Sequence, residues 1–482
     1  MLISAIFATL IPAFVRSKAM HLVLAVCFPL LMLGQVLFML FFHEENAMIS
    51  LPYAVVISML VASHYLYFCI FICILWFFAS IYSVFYISKN YSHAKLARFM
   101  PFYNMAVCSA LFVAVSSNLV TTFIFYEILT FATLPLVGFS GDEKAKKGLK
   151  KYTIILSFCA VLFFLPSVIM LQTSLDTTEF TPHVGTISSM FFEEIADNNF
   201  EKYTYTPSSK MMIIVLVLLI FGVAKNAIFP FNGWLPAAMC APAPVSALLH
   251  AVAVVKSGGF IMYKIFYEFF GPQYISHLHG IYPLVFQLIT ICAVLGIVYA
   301  SFCALKTKDI KKILAYSTIS GMTYIFLLFF LCTDSSMKAG FMQMAFHGVT
   351  KIGLFFIAGI LYSLYHTNDY TKMAGAFSKS KILFFSFILF VFSIVGMPLT
   401  AGFLVKNNIL AVMVEEKAYI ALFGILFSSV MSVLYLGKPM FFILTPVKSH
   451  ILDANIKNMA RYVVLPIAIL CIAMAFFIAF NL

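Results

Sequence analysis

The stretch KNAIFPFNGWLPAAMCAPAPVSALLHAVAVVK, residues 225–256, decides how the chain folds. Four prolines interrupt this otherwise apolar run, and proline removes a backbone donor and breaks a helix. Lys225, His250 and Lys256 lie in the same run. In lipid, every freed backbone group needs a partner, and a buried charge is costly and usually functional. The stretch therefore predicts a broken membrane helix flanked by buried cations, which is typical of an ion path.

The composition of the remaining chain indicates a membrane protein. The 482 residues are 63% hydrophobic and 10% charged, whereas a soluble domain carries about 25% charged residues. The apolar runs are about 20 residues long, the length that spans a bilayer as a helix, and strands of a β-barrel would give shorter alternating segments. We therefore predict an all-α membrane protein with about fourteen transmembrane helices.

The apolar runs give the predicted positions of these helices. A shorter apolar segment, 51–62, is expected to pack at the surface. The fourteen spans are expected near 2–15, 21–42, 64–88, 101–117, 119–138, 152–171, 210–229, 244–267, 281–304, 312–332, 339–364, 382–412, 418–441 and 461–481.

The basic residues indicate the orientation. Of the 30 lysines and arginines, 21 lie on or directly beside the loops of one side, and five, including Lys264, fall on the other side. The positive-inside rule then predicts a multi-pass protein of the inner (cytoplasmic) membrane with both termini outside. The net charge of +12 is thus mostly a topology signal. It leaves no extended basic patch with interleaved aromatics, so we expect no nucleic-acid partner. The loops on the basic side are 16–20, 89–100, 141–151, 305–311, 365–381 and 438–461.

Few ionisable residues remain inside the predicted spans. Glu127 is expected to be the only carboxylate among them, and His64 is set aside because it lies near a span end. A static buried ion pair is the simplest structural explanation for such residues. The set is large for that explanation, since it comprises Glu127, Lys225, His250, Lys256, His347, Lys351 and Lys406.

A row of buried lysines and histidines suits proton transfer. Burial disfavours the charged form of a lysine, a nearby carboxylate restores it, and neutral histidines with trapped water carry protons onward. Glu127 is the expected switching carboxylate for Lys225. His347 and Lys351 are spaced i, i+4 and share a helix face, whereas the six-residue spacing of His250 and Lys256 points them in different directions.

An inverted repeat is expected from the two proline breaks. Lys225 precedes Pro230 in the first half, and Pro398 precedes Lys406 in the second. Interrupted helices at corresponding positions of two halves indicate a transport site. We predict two inverted five-helix repeats, each with one broken helix, at 101–268 and 269–441. Residues 1–100 would form three amino-terminal helices, and 442–482 would carry the last one.

Several motifs resemble those of the antiporter-like proton-conducting membrane subunits of respiratory complex I, Mrp-type antiporters and membrane-bound hydrogenases. The run 225–258 is similar to the family's lysine, FP, WLP and APxPVSAxxH series. FYEILTFATLPL resembles its glutamate helix, and KDIKKILAYSTISGMTYI resembles its KxDxKRxLAYSTISQ signature. MAFHGVTKIGLFFIAG and GMPLTAGFLVKNNIL resemble its histidine–lysine helix and its second broken helix.

The resemblance implies a role for each matching residue. Glu127 would couple one subunit to the next, and Lys225 would be the central switch of the first half-channel. Lys406 would be the terminal lysine of the second, and His250, Lys256, His347 and Lys351 would form the polar axis between them. Asn232 replaces a histidine and Ala237 an acid of the family pattern, which places the entry-side proton steps in doubt. The length of the chain fits the shorter members of this family. The LLHAVAVVKSG stretch favours the D-type member among the Mrp antiporter subunits.

The resulting functional prediction is a proton-translocating subunit of a multi-subunit Na⁺/proton antiporter. Its expected partners are other antiporter or complex I-like membrane subunits, the lipid bilayer, protons and Na⁺. The alternative is a proton-pumping subunit of a complex I-type NADH dehydrogenase or membrane-bound hydrogenase, and a membrane scaffold with vestigial charges is a third reading. The ten cysteines are scattered without CxxC, so we expect no cofactor, metal or catalytic site in the chain. The acidic loop 172–209 could gather cations or contact a neighbouring subunit.

Overall fold

The protein is almost entirely helical in the computed structural model, which describes residues 1–42, 47–50, 56–197, 208–377, 380–445 and 454–481. A two-stranded hairpin interrupts the helices near the amino terminus. The elements, in chain order, are α1 (Leu2–Phe14), α2 (Lys18–Phe42), β1 (Ala47–Ser50), β2 (Val56–Met59), α3 (Ser63–Asn90), α4 (His93–Val115), α5 (Leu119–Val137), α6 (Glu143–Leu175), α7 (Thr186–Asp197), α8 (Ser209–Gly222), α9 (Ala243–Phe270), α10 (Pro272–Ile281), α11 (Pro283–Lys306), α12 (Ile310–Leu331), α13 (Asp334–Tyr365), α14 (Lys381–Val395), α15 (Ala401–Glu415), α16 (Tyr419–Leu444) and α17 (Ala454–Phe480).

The membrane spans follow the predicted positions closely. Eleven helices of the described chain are long and apolar enough to cross a membrane: α2 to α6, α9, α11 to α13, α16 and α17. The predicted spans 2–15, 210–229 and 382–412 contain shorter apolar helices, α1, α8 and α14. The last of these spans is two helices, because α14 ends before Gly396 and α15 begins at Ala401. The helical membrane fold is confirmed, with eleven candidate spans among the described residues, and the count of fourteen stays a prediction.

The hairpin is the exception to the all-α prediction. β1 and β2 pair antiparallel, with Ala47 opposite Met59 and Ser50 opposite Val56. The run VISM contains two β-branched residues, which favour a strand over a helix. Part of the segment expected to pack at the surface, 56–59, is thus a strand, and 51–55 lie outside the described residues.

Side-chain caps fix where several helices begin. The Asn118 side chain accepts a hydrogen bond from the Thr121 N–H at the start of α5, and Asp142 does the same for Ala145 at the start of α6. Thr333 and Ser336 cap each other's backbone at the start of α13. Such caps satisfy backbone donors that a helix leaves open at its first turn.

Three helices form the centre of the bundle. α9 is wholly buried, and the apolar stretches of α12 and α13 are almost entirely buried. In the outer helices α2, α6 and α17, most residues of the apolar stretch are at least partly exposed. Large apolar side chains such as Phe131, Phe385 and Phe441 point outward. This distribution suits a bundle whose outer surface faces lipid and whose centre carries the polar residues.

Candidate functional site

The interruption between α8 and α9 holds Lys225 deep in the protein. α8 ends at Gly222, Lys225 lies on a short turn, Ala224–Asn226, and Ala227 adopts a left-handed conformation with φ of 56°. The indole N–H of Trp234 donates to the Ala224 carbonyl at 3.0 Å and ties the far side of the break to this turn. Pro230 lies in the same non-helical segment. The break therefore places a lysine side chain, 0% exposed, inside the bundle.

A glycine lets α9 approach this turn. A Cβ atom at Gly258 would lie 2.5 Å from the Asn226 backbone nitrogen and 2.6 Å from the Lys225 carbonyl carbon. Such distances leave no room for a side chain. The backbone of α9 thus contacts the Lys225 turn directly, two residues beyond Lys256.

The Lys225 ammonium is held by α5. Its Nζ donates to the Tyr126 carbonyl at 2.7 Å and to the Thr130 hydroxyl at 2.6 Å. The Thr130 hydroxyl lies 3.4 Å from Glu127 Oε1. Glu127 itself is half-buried, and no ion pair between it and Lys225 occurs among the described residues. Thr130 is therefore the bridge between the lysine and the carboxylate, a residue that sequence reasoning did not identify.

His250 lies in the first half of α9 and is fully buried. Its ring packs against the ring of Phe355, with the ring centres 4.6 Å apart and the planes tilted by 34°. Both ring nitrogens lack a protein partner among the described residues. The helix here is widened into a π-turn, Leu248–Val252. The histidine therefore has two free nitrogens to offer to water or to a neighbouring group that moves.

Lys256 and His347 meet directly between α9 and α13. The Lys256 Nζ is 2.9 Å from His347 Nδ1 and donates to the Met344 carbonyl at 2.9 Å. His347 Nε2 has no partner among the described residues, and its ring packs against Gly321 of α12, where a Cβ atom would lie 2.5 Å from Cδ2. One nitrogen of this histidine thus faces a lysine, and the other is free.

The third group surrounds a small cavity of about 30 Å³. His347, Lys351 and Lys406 line it together with hydroxyl and amide side chains, among them Ser320 and Gln343. Ser320 Oγ and Gln343 Oε1 have no protein partner among the described residues. A polar cavity of this size accommodates a water molecule, which needs two to four polar partners. The cavity is therefore a site where water can join two lysines.

Lys351 and Lys406 each end on a backbone carbonyl. Lys351 Nζ donates to Leu314 O at 3.1 Å, and Lys406 Nζ donates to Val395 O at 2.9 Å. Val395 is the last residue of α14, so the ammonium sits at the negative end of that helix. The turn that follows contains Pro398, and both Gly396 and Leu399 have positive φ there. The side chains of Lys406 and Glu127 are each partly buried.

The predicted residues thus form three groups of contacts, the last two of which share His347. Glu127, Thr130 and Lys225 form the first group, Lys256 and His347 the second, and His347, Lys351 and Lys406 the third. The described structure gives no hydrogen bond between Lys225 and His250, or between His250 and Lys256. Those gaps require water or side-chain movement for a proton to cross.

Two buried ionisable residues near the end of α9 were missed. Glu268, at the end of α9, is 0% exposed, so the expectation that Glu127 is the only carboxylate inside is wrong. Lys264 is also 0% exposed, although it was placed with the outer residues. His64, set aside earlier, binds Glu268 at 2.7 Å. The i, i+4 spacing of Lys264 and Glu268 inside the apolar run YKIFYEFF was the signal that could have found them.

A wide opening lies at the basic end of the bundle. A cavity of about 850 Å³ is lined by Lys147, Lys151 and Lys308, by Ala237, and by Lys311. Lys311, expected in a loop, is 4% exposed and donates to the Ala241 carbonyl. Ala237, one of the two departures from the family pattern, therefore lies where water reaches the broken segment.

Residues 116–432 match the family described as NADH:quinone oxidoreductase/Mrp antiporter, TM. The NADH-quinone oxidoreductase subunit L of Rickettsia bellii (strain RML369-C) is 28% identical over 373 residues, which is 74% of this chain and 52% of that protein. The Na(+)/H(+) antiporter subunit A1 of Staphylococcus haemolyticus (strain JCSC1435) is 28% identical over 349 residues, which is 70% of this chain and 40% of that protein. The chain thus spans about half the length of these relatives.

A solved structure shares the fold over the whole chain. It belongs to the membrane-bound sulfane sulfur reductase, an archaeal respiratory membrane complex. The TM-score is 0.81 at 21% identity, and the match covers 100% of this chain and 93% of that one. At this identity the likeness concerns the arrangement of helices.

Proposed function

The chain belongs to the NADH:quinone oxidoreductase/Mrp antiporter transmembrane family, and on that premise we propose that it conducts protons as one subunit of a multi-subunit membrane complex. The observation that carries the proposal is the contact of 2.9 Å between Lys256 Nζ and His347 Nδ1. It joins two buried helices and leads, through the other face of the same imidazole, into the cavity shared by Lys351 and Lys406.

The proton step at this contact follows from the chemistry of its two groups. A charged Lys256 donates a proton to the neutral Nδ1 of His347, and the imidazole releases one from Nε2 toward the cavity. Lysine suits this exchange because burial readily changes whether its amine holds a proton, and imidazole can carry protons on both nitrogens. Water in the cavity then connects the imidazole with Lys351 and Lys406.

The group at α5 acts as the switch for the first lysine. The Thr130 hydroxyl accepts from Lys225 and lies within reach of Glu127. A negative Glu127 favours the charged form of Lys225, and movement of Glu127 away withdraws that support. Because Glu127 is half-buried beside the exposed Phe131, a neighbouring subunit can reach it, which supports a coupling role.

The host complex that we favour is a Na⁺/proton antiporter of the Mrp type, with this chain in the role of its D-type membrane protein. The antiporter subunit among the relatives and the LLHAVAVVKSG stretch support it. The second candidate is a proton-pumping subunit of a complex I-type dehydrogenase or a membrane-bound hydrogenase, which the subunit L relative favours. Both candidates need the same proton path, and the ion exchanged for the proton distinguishes them.

The membrane arrangement is part of the proposal. We place the protein in the cytoplasmic membrane with fourteen spans, both termini outside, and the two inverted repeats at 101–268 and 269–441. The interruptions after Gly222 and after Val395 each place a lysine beside a helix end, which supports the repeat. Lys89 and Lys306, at the ends of α3 and α11, support the orientation.

Transport by the complete complex tests this function. Everted vesicles from an antiporter-deficient host carrying the intact operon are assayed for Na⁺-dependent proton release. Lys225→Ala is expected to abolish it, since the variant removes the ammonium that α5 holds. Lys210→Ala, which changes an exposed lysine of α8, is the matched control and should retain it. Proton release that survives Lys225→Ala in a fully assembled complex would contradict the proposal.

A further inference from the structure

A second polar cluster lies at the end of α9, apart from the axis. Glu268 is 0% exposed, and its two carboxylate oxygens have different partners. Oε1 lies 2.7 Å from His64 Nε2, and Oε2 accepts the hydroxyl of Tyr65. His64 and Tyr65 both belong to the first turn of α3. A buried carboxylate is thus held by a neighbouring helix through an imidazole and a phenol.

Lys264, one turn earlier on α9, does not neutralise this carboxylate directly. Its Nζ donates to the Ala114 carbonyl at 2.9 Å and to the carbonyl of Ser116, and it lies 4.1 Å from the centre of the Tyr65 ring. No ion pair between Lys264 and Glu268 occurs among the described residues. The partner that can neutralise Glu268 by contact is therefore His64, either as an imidazolium beside a carboxylate or as an imidazole beside a carboxylic acid.

The exposure of the cluster falls stepwise from the surface inward. His183 is exposed on a turn, and its ring centre lies 5.4 Å from that of His64. The His64 side chain is 22% exposed, and that of Glu268 is 0% exposed. Two imidazoles thus lead from the protein surface to a buried carboxylate.

The position of the cluster sets it at the opposite end of the bundle from the basic loops. His64 lies in the first turn of α3, and Lys89 lies in the last turn of the same helix, 25 residues later. Lys311, which lines the basic cavity, donates to the carbonyl of Ala241, two residues before α9 begins at its opposite end. A site at Glu268 therefore serves the membrane face remote from that cavity.

We propose that His64 and Glu268 form a proton-exchange site at this face, with His183 as its outermost member. His64, neutral with its proton on Nε2, takes a proton from hydronium at Nδ1 and gives the Nε2 proton to the Glu268 carboxylate. One O–H bond of hydronium and the Nε2–H bond break, while an N–H bond forms at Nδ1 and an O–H bond forms on Glu268, so one proton enters and a water molecule is left. Rotation of the ring restores the first tautomer, and the reverse sequence releases the proton. The inference rests on the proposed function only in that the lysine axis would supply or accept this proton.

An aromatic layer separates this site from the axis. The rings of Phe68 and Phe260 stack at 4.2 Å between Lys256 and Lys264, which are eight residues apart on α9. A proton that passes between the axis and Glu268 needs this layer to admit water. The site therefore exchanges protons with the outside while the layer stays closed.

Any pH dependence of the site involves the titratable groups that face it from each neighbouring element. They are His64, Tyr65 and Cys69 on α3, His183 on the turn before α7, and Tyr263 and Lys264 on α9.

Infrared difference spectroscopy on the purified complete complex tests the site without transport. Upon a pH change, the wild type should show a carboxylic-acid carbonyl band. The band should be absent in Glu268→Gln, and in His64→Gln it should emerge at a different pH. Glu179→Gln, an exposed acid of the loop next to His183, is the control and should keep the band. A spectrum that Glu268→Gln leaves unchanged over the working pH range would mean a static structural pair and would overturn the inference.

Transport by the reconstituted complex supplies the second measurement. Glu268→Gln should slow proton transport at least about tenfold, in the range that loss of a proton-transfer group gives. His64→Gln should alter the pH profile of the rate, and it keeps the inference testable if Glu268→Gln fails to assemble. Equal pH profiles for wild type and His64→Gln would overturn the inference. Failure of the proposed function can be distinguished from failure of this inference. If the proposed function fails, Lys225→Ala leaves transport intact whatever the Glu268 band shows.

Discussion

Lys256 and His347 are 91 residues apart in the chain, yet the Lys256 ammonium and the His347 Nδ1 lie 2.9 Å apart. Each residue is itself buried, Lys256 on α9 and His347 on α13. The lysine also donates to the Met344 carbonyl, on the same turn of α13 as the histidine. The pair is therefore a fixed junction between two halves of the polar line.

The first prediction concerns this junction. Lys256→Met and His347→Gln each interrupt the same transfer, so combining them should cost no more transport than the more severe single change. The expected coupling free energy is about 1 to 3 kcal/mol, as for contacting residues. Initial rates of proton transport are measured in reconstituted vesicles for the wild type, the two single variants and the double variant, which together form a double-mutant cycle. Lys210→Ala combined with His347→Gln is the control pair, and it should be additive. Additive losses for Lys256 and His347 would contradict the junction.

The second prediction concerns the hydroxyl between Lys225 and Glu127. Thr130→Val keeps the shape of the side chain and removes the group that accepts from Lys225 at 2.6 Å. A buried donor that loses its partner costs about 1 to 3 kcal/mol, so proton transport should fall by about tenfold or more. The rate is measured in everted vesicles at equal complex content.

Thr130→Ser supplies the control for that prediction, since it restores the hydroxyl without the methyl group. It should recover most of the rate lost in Thr130→Val. A valine variant as fast as the serine variant would show that the hydroxyl has no part in the switch.

The third prediction concerns the close approach at Gly258. Gly258→Ala places a Cβ atom 2.5 Å from the Asn226 nitrogen and must push the Lys225 turn away from α9. Overpacking of this kind costs about 1 to 3 kcal/mol, so the thermal unfolding midpoint of the purified complex should fall. Gly437→Ala on α16, where a Cβ atom meets no atom within 4 Å, is the matched control. It should leave the midpoint unchanged or raise it, and equal midpoints for the two variants would count against the close contact.

Much of the fold could be predicted from the sequence, because apolar runs of span length and the distribution of lysines carry that information. The prolines at 230 and 398 both lie outside regular helix. The hairpin 47–59 was not predicted, since its two short strands carry too little periodicity to separate from a surface segment.

The sequence predicted which residues belong to the candidate site more fully than it predicted which of them touch. A lysine inside an apolar run is visible in the sequence as a candidate buried charge. The role of Thr130 depends on which turn of α5 faces the broken segment, and the sequence does not show that. Lys264 and Glu268 were missed because a charge near the end of a span is usually exposed. Only the packing of α3 and the end of α4 over the last turns of α9 buries them.

Lys406 of α15 links its own charge to the shape of the turn between α14 and α15. Its ammonium holds the Val395 carbonyl, the last of its helix, and the turn that follows carries Leu399 onto the surface with 99% of its side chain exposed. A neutral amine would hold that carbonyl less firmly than a charged one. Ionisation of Lys406 and the shape of the turn are therefore linked, and linkage acts equally in both directions. A contact at Leu399 that shifts the turn would therefore change the proton affinity of Lys406, and a change of charge on Lys406 would shift the turn.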